Sequence, residues 1–301
     1  MTLFFSAVNR ILRRNMKAIA KSRGLTEEQV IQKAARYLGS MSEQWRAGEA
    51  PTIAYEDPIC RWAYMFAHVS VQANLFQRVI AECERHSESF RQKLNEEVLS
   101  MTIFGGGPGT ELLGLAKHYL TRLDDEEHEQ IDIRVDVIDR VSAWSENVSL
   151  IKDEISDAYS KKFGRKRNWP ALFDIHAFTL EFSDLDGFGN LATVFTRHIF
   201  VLNFVVSEVF DLDELLPVME MMVAGCPVGA HFVFVDRSDD QTINKIAKLI
   251  GKLKLEVESA NTTKDSMDTD EEKDELSELS ASLQRQPRIT WNAVWVLAVK
   301  S

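Results

Sequence analysis

The sequence predicts an α/β fold: a seven-stranded, mostly parallel sheet preceded by an N-terminal helical domain. Three observations predict it. From Val98 onward, short apolar or alternating runs trade places with helical patterns, as in a sheet covered on both faces. The first of these runs, Met101-Thr102-Ile103-Phe104, leads into Gly105-Gly106-Gly107-Pro108-Gly109 and then Thr110-Glu111-Leu112-Leu113, which reads as strand, glycine turn and helix start. Upstream, residues 1–97 hold no convincing strand.

In the helical part, Phe4, Phe5, Val8, Ile11, Leu12, Met16 and Ile19 recur at helical spacing among Arg10, Arg13, Arg14, Lys17, Lys21 and Arg23; the first acid is Glu27. A basic, acid-free amphipathic segment resembles an organelle transit peptide. The preferred reading is a helix packed on the body, because the stripe runs on into the next helix. Leu25-Thr26-Glu27-Glu28 supplies a cap and first-turn acids for a helix through Leu38 that Gly39 stops. A second helix covers 42–47. Asp57-Pro58 starts a long one, since Asp caps and Pro suits the first turn. Its buried stripe is Ile59, Trp62, Ala63, Phe66, Val69, Ala73, Phe76 and Ile80. Residues 87–97 read as one more helix. The expected domains are therefore 1–97, a lid or substrate-selecting domain, and 98–301.

The strands are expected at 99–104, 133–138, 173–178, 198–204, 230–235, 254–258 and 289–299. Helices over 212–223, with Pro217 kinking or starting it, and over 242–253 lie between them. The stretch 261–288 carries Asp265, Asp268, Asp270, Glu271, Glu272, Asp274, Glu275 and Glu278 and reads as an acidic flexible insertion.

The glycine turn suggests a ligand. Glycines let a ligand approach the main chain, and the following helix offers free N–H groups at the positive end of its dipole. Such a unit favours a nucleotide-like ligand at the carboxyl edge of a parallel sheet. Thr110 stands where the dinucleotide fingerprint needs a glycine, which argues against a nicotinamide-dependent oxidoreductase, and no Gly-Lys-Ser/Thr ending marks a P-loop. The G-x-G-P-G-T pattern over Gly105–Thr110 instead resembles motif I of class I S-adenosylmethionine (SAM)-dependent methyltransferases. The next strand, Ile131 to Asp139, ends in an acid, as theirs does.

That resemblance implies a Rossmann-like methyltransferase sheet over 98–301, with its last strand inserted antiparallel through a hairpin, and SAM as cofactor. It places Gly105, Gly106, Gly107 and Gly109 against the methionine and ribose, and Thr110 and Glu111 at the helix start, where they hydrogen-bond the ligand or cap the helix. Asp139 falls at the ribose hydroxyls; its alternative role is a helix cap. Thr179 sits where the family's adenine-binding acid stands, with Phe178 and Leu180 flanking the ring or packing in the core. Two departures stand out. Ile103 occupies the place of a motif I acid, and the strand-four ending Asn203-Phe204-Val205 keeps an amide and an aromatic face but lacks two prolines. Asn203 and Phe204 are cofactor-binding candidates all the same, with a strand-end cap as the alternative for Asn203, and Asn203, Glu208 and Tyr55 are the catalytic candidates, with Tyr64 nearby. In-line methyl transfer needs alignment most, and a base to take a proton.

The expected function is methyl transfer to an acceptor on RNA or protein; the alternative is a catalytically silent methyltransferase-like binding module. Lys161, Lys162, Arg165, Lys166 and Arg167 surround Phe163 and Trp169 and form the candidate RNA contact, or a solvated loop, with Arg10, Arg13, Arg14 and Lys17 extending the positive face. The net charge of −11 excludes a broadly nucleic-acid-coating surface. Three scattered cysteines and seven histidines without ligand spacing point to reduced thiols and no metal site. No apolar run is long enough to span a membrane. The expected compartment is the cytoplasm, with the mitochondrion as the alternative that the basic N-terminal segment raises.

Overall fold

The computed structural model describes residues 3–47, 53–122, 130–166, 169–209, 211–267 and 274–301. The alternating runs become seven strands: β1 (Val98–Phe104), β2 (Ile131–Asp139), β3 (Ala171–Thr179), β4 (Ile199–Asn203), β5 (His231–Arg237), β6 (Glu256–Ser266) and β7 (Thr290–Val299). They form one sheet in the order β3-β2-β1-β4-β5-β7-β6. The first five are parallel, and β7 is inserted antiparallel between β5 and β6. The chain steps outward from β1 to β3, then returns to the other side of β1 as β4. The connections leaving β1 and β4 diverge there, which opens a crevice at the carboxyl edge.

Period-2 alternation sorts the core. Ile199 and Val201 of β4, Val233 and Val235 of β5, and Trp295 and Leu297 of β7 face one side. Phe200, Leu202, Phe232, Phe234, Val294 and Val296 face the other, with the Phe200 and Phe232 rings stacked at 4.9 Å. Helices α1 (Phe4–Arg23), α2 (Glu27–Ala47), α3 (Pro58–Tyr64), α4 (Ser70–His86), α5 (Glu88–Leu94), α6 (Thr110–Arg122) and α7 (Trp144–Phe163) cover the first face. Helices α8 (Leu185–Asn190), α9 (Leu212–Gly225) and α10 (Asp240–Leu253) cover the second. Helices α1–α5 thus form a layer that shares a core with Ile103, Val135 and Val201. At Gly114 a Cβ would lie 2.6 Å from the Ala73 carbonyl, so only glycine lets α6 approach α4 this closely.

Several elements differ from expectation. Gly39 does not stop α2, which runs unbroken to Ala47; tertiary packing outweighs one glycine's helix cost of about 1 kcal/mol. Its start is a capping box, with the Thr26 and Gln29 side chains each accepting the other's backbone N–H. Asp57 caps α3 through the Ile59 N–H. A π-helical turn, Met65–Val69, then separates α3 from α4. The last helix of this layer, α5, stops at Leu94 rather than 97. Pro217 does not start α9, which Asp211 caps; it lies in the second turn.

The largest correction concerns the acidic stretch. Strand β6 extends to Ser266, paired along β7, and Leu276, Leu279 and Leu283, the last two on α11 (Ser277–Leu283), are buried beside α2. Residues 268–273 lie outside the described residues. The strand escapes sequence reading because β6 is an edge strand with almost every side chain exposed, held by pairing rather than apolar content. The α1 stripe is core: Phe4, Phe5, Val8, Ile11 and Leu12 are buried, while Arg10, Arg13 and Arg14 face Glu154, Glu278 and Asp153. Among the described residues no helix is long and apolar enough to cross a membrane.

Candidate active site

The glycine turn closes where β1 ends. Gly105, Gly107 and Gly109 have φ of 62°, 39° and 87°, and at Gly105 a Cβ would meet Val205 at 2.6 Å. Asp139 ties this turn to the tip of β2: its two carboxylate oxygens accept from the Gly107 N–H at 2.8 Å and the Val141 N–H at 2.9 Å. Burial pushes the Asp139 pKa up, and these two N–H bonds hold it down. Asp139 is not a helix cap, because α7 begins at Trp144 with Ala143 before it.

A cavity of about 630 Å³ opens above the turn. Of the expected cofactor residues, Gly105, Gly106, Gly107, Thr110, Asp139, Asn203 and Phe204 line it; so do the catalytic candidates Tyr55, Asn203 and Glu208. Three expected residues do not. Gly109 turns inward against Leu112 and Val148. Phe178 packs against the second-face core, and Thr179 is exposed away from the cavity. The register explains this: Thr179 sits opposite Asp139, so the chain crosses into the cavity only beyond it, with Leu180, Glu181 and Phe182 on the wall.

Sequence reading named Tyr55 and Tyr64 but missed Trp144, the third member of an aromatic wall. The Trp144 ring lies 5.4 Å from Tyr55 and 5.7 Å from Tyr64. Buried Arg61 donates to the Tyr55 and Glu56 carbonyls at 2.8 and 3.1 Å, which fixes Tyr55 over the cavity. The signal was present in the apolar residue that opens the helix after Asp139, but nothing in its spacing distinguishes a wall from core.

On the floor, the Asn203 side-chain amide donates to Glu111 Oε1 at 2.5 Å. Both residues are nearly fully buried. Burial pushes the Glu111 pKa up to about 7, aided by Asp139 and opposed by the Asn203 bond. The other oxygen of each side chain, Glu111 Oε2 and Asn203 Oδ1, is buried without a hydrogen-bond donor.

A second cavity of about 940 Å³ adjoins the first, and Tyr64, Gln72, Phe204 and Glu208 line both. Its remaining walls include His68, Arg237, Lys264, Arg288 and Trp291. The π-helical turn lies between Tyr64 and Gln72, whose side chains are joined by a 3.2 Å hydrogen bond across it. Glu208 rides on a loop that Asp236 holds by accepting the Ser207 N–H at 2.9 Å. The surrounding protein, then Asp236 and Asp139, push the Glu208 pKa up to about 7. Its side chain opens onto cavity solvent, so hydration moderates this push more than at Glu111.

The basic stretch lies elsewhere. Lys161 and Lys162 end α7, and Arg165 and Lys166 lie between α7 and β3 at the amino edge of the strands, across the sheet from the cavities. Lys162 donates to the Leu120 carbonyl and Lys166 covers Trp169. Arg167 lies outside the described residues. Arg10, Arg13 and Arg14 each face an acid, Glu154, Glu278 and Asp153. Among the described residues no cluster of His, Cys, Asp and Glu has metal-binding geometry, and the three cysteines are buried thiols.

Comparison with known proteins decides the family. Residues 53–238, more than half of the chain, match the family described as "Putative SAM-dependent methyltransferase". The chain belongs to this methyltransferase family. No curated protein matches it. Solved structures similar to the chain include an O-methyltransferase family protein from Burkholderia thailandensis (13% identity, covering 91% of this chain and 70% of that one, TM-score 0.46). Another is the N-methyltransferase NodS from Bradyrhizobium japonicum WM9 in complex with S-adenosylhomocysteine (14% identity, 76% and 98%, TM-score 0.40). A third is precorrin-6y C5,15-methyltransferase from Geobacter metallireducens (11% identity, 70% and 84%, TM-score 0.39). SAM, the cofactor of the family, fits what the methyltransferase cavity offers. At Gly107 a Cβ would meet nothing nearer than 3.8 Å, so the turn is open to a ligand, and two buried acceptors await donors.

Proposed function

We propose that this methyltransferase transfers the methyl group of SAM to a nucleophile on RNA or protein that enters through the second cavity, with Glu208 accepting the proton. The observation that carries this reading is the meeting of the two cavities at Tyr64, Gln72, Phe204 and Glu208. SAM supplies an electrophilic methyl carbon on a sulfonium. The chain's own residues do the rest. Gly105, Gly106, Gly107 and Thr110 receive the ligand's main-chain-facing edge. Asp139 would hold the ribose hydroxyls with its remaining lone pairs. Leu180 and Phe182 would flank the adenine, with Glu181 in the role first given to Thr179. Tyr55, Tyr64 and Trp144 would keep water from the reactive end of the cofactor, which favours alignment over hydrolysis. Glu208 stands on the border of both cavities, where a base must stand to take a proton from an incoming N–H or O–H.

A cavity of about 940 Å³ open to solvent admits a side chain or an unstacked base protruding from a larger molecule. The test supplies labelled SAM and the protein to a cell extract, then separates RNA, protein and small molecules. Label is expected in one macromolecular fraction and at a rate roughly 10²–10⁴-fold lower with Glu208→Gln. Label in none, together with measurable SAM binding, supports the second reading, a catalytically silent binding module. Two observations favour that alternative: Ile103 in place of an acid and the missing prolines after Asn203.

A further inference from the structure

The two edges of the sheet are finished differently. At one, β6 carries Glu256, Glu258, Lys264 and Asp265 and has a register shift between Val257 and Ser259. Side chains of the helical layer bond to it, Arg78 to Asp265 and Ser89 to Glu258. Charges, a bulge and covering groups are the means by which an edge strand is kept from pairing again. At the other edge, β3 has none of these. It runs Ala-Leu-Phe-Asp-Ile-His-Ala-Phe-Thr without lysine or proline, and its register against β2 is unbroken. The Pro170 carbonyl and the Leu180 N–H bond to β2 at its two ends. Backbone groups alternate along a strand, so those of Phe173, Ile175, Ala177 and Thr179 point the other way, where no described strand pairs with them. A long, mostly apolar edge of this kind is a template for one more strand.

The order of residues says which strand. Its only ionisable side chains, Asp174 and His176, flank Ile175 symmetrically and are 62% and 54% exposed. Turned antiparallel about Ile175, β3 matches itself: Leu172 stands opposite Phe178, Phe173 opposite Ala177, and Asp174 opposite His176. Ile175 points its backbone groups outward, so it meets its own copy as a hydrogen-bonded pair. Asp174 and His176 then fall in the narrow pairs beside it, where side chains stand closest and an acid facing an imidazole is favourable. Parallel pairing in register would set Asp174 against Asp174. We propose that two copies of this methyltransferase join edge to edge, their β3 strands antiparallel about Ile175, into a two-fold dimer with one continuous sheet. Such a contact uses the same patch on both copies and closes on itself. The blunted β6 edges then end the sheet on both sides.

Sedimentation equilibrium tests the dimer, and two kinds of variant test its register. Wild-type protein is expected to sediment as a reversible dimer in the micromolar range. Ala177 is exposed and its N–H points outward, so Ala177→Pro leaves the bonds to β2 intact and removes a donor from the new pairing. It should raise the dissociation constant by about 30-fold or more, with a circular dichroism spectrum like that of wild type. Cross-linking decides independently of that variant's folding. Asp174→Cys protein mixed with His176→Cys protein should give a disulfide-linked dimer on mild oxidation, because Cα atoms in such a pair lie about 4.5 Å apart. Either variant alone should not, since the two copies of one position are then diagonal neighbours, about 7–8 Å apart. The native cysteines are buried and do not compete. A monomeric wild type, a dimer indifferent to Ala177→Pro, a mixture that gives no cross-link, or cross-links as strong in either variant alone overturns the proposal.

Discussion

The first cavity is walled largely by short runs of consecutive residues: 105–108, 138–141, 180–183 and 203–205. The second draws on more elements, with short pieces of the α3–α4 region, the loops after β4 and β5, the end of β6 and the start of β7. They share four side chains, yet they differ in how they are specified. A turn that must bend sharply and present N–H groups needs particular residues in sequence. A wall needs only that distant elements pack, and many side chains serve. On the proposed reading, the first cavity therefore carries the fixed requirements of one ligand, and the second the choice of acceptor.

If the border between the cavities is where chemistry happens, Glu208→Gln gives the largest effect. The turnover rate should fall by roughly 10²–10⁴-fold, while SAM affinity changes less than about threefold. A raised carboxyl pKa also fixes the sign of the pH dependence. Only the ionised base accepts a proton, so the rate should fall about tenfold per pH unit below that raised pKa and level off above it. An unchanged rate in the variant would erase the distinction between the cavities at this point.

The next effect belongs wholly to the first cavity. Asp139→Ala removes the acceptor of the Gly107 and Val141 N–H groups, so the turn loosens and SAM binding should weaken by about 1–3 kcal/mol. Equilibrium binding checks it, and saturation by the acceptor should be unchanged. An equal loss for cofactor and acceptor would show that the two cavities are one site.

What the sequence revealed follows the same division. The turn, Asp139 and the alternation of β1, β2, β4 and β5 were readable because each rests on local chain requirements. Thr179 was misplaced by the length of β3: strand ends are set by pairing with β2, which one strand's composition does not record. The second cavity was invisible because Trp291, Arg237 and His68 meet only through the β5–β7 pairing and the π-helical turn. Glu111 read as a helix-start residue that bonds the ligand or caps; only its contact with Asn203, 92 positions away, placed it on the cavity floor.

A smaller effect sharpens the account of that floor. The folded Glu111 carboxyl titrates at about 7 against an ordinary 4.5. Its protonated form favours folding, and this contribution, full below about 4.5, is lost as pH rises through about 7. Glu111→Gln should therefore be more stable than wild type at pH 8 by about 1–3 kcal/mol, with the gap closing by pH 5. Urea denaturation at the two pH values measures it. The smallest effect is expected at the far edge of the sheet. Replacing Lys161, Arg165 and Lys166 by Ser should change SAM affinity less than about twofold, because charges beyond the ~10 Å screening length act weakly. A larger change would mean that the amino edge communicates with the cavities.

The most direct test of the central claim is calorimetric titration of SAM into wild-type protein and Gly107→Arg, with circular dichroism to confirm that both are folded. The Gly107 position opens onto the cavity, so an arginine there fills the ligand's space. Expected is one site per chain with micromolar affinity in wild type, and a loss of at least 100-fold in the variant. A folded Gly107→Arg protein that binds SAM as wild type does, or a wild-type protein that gives no binding at millimolar SAM, would contradict the assignment of this cavity to the cofactor.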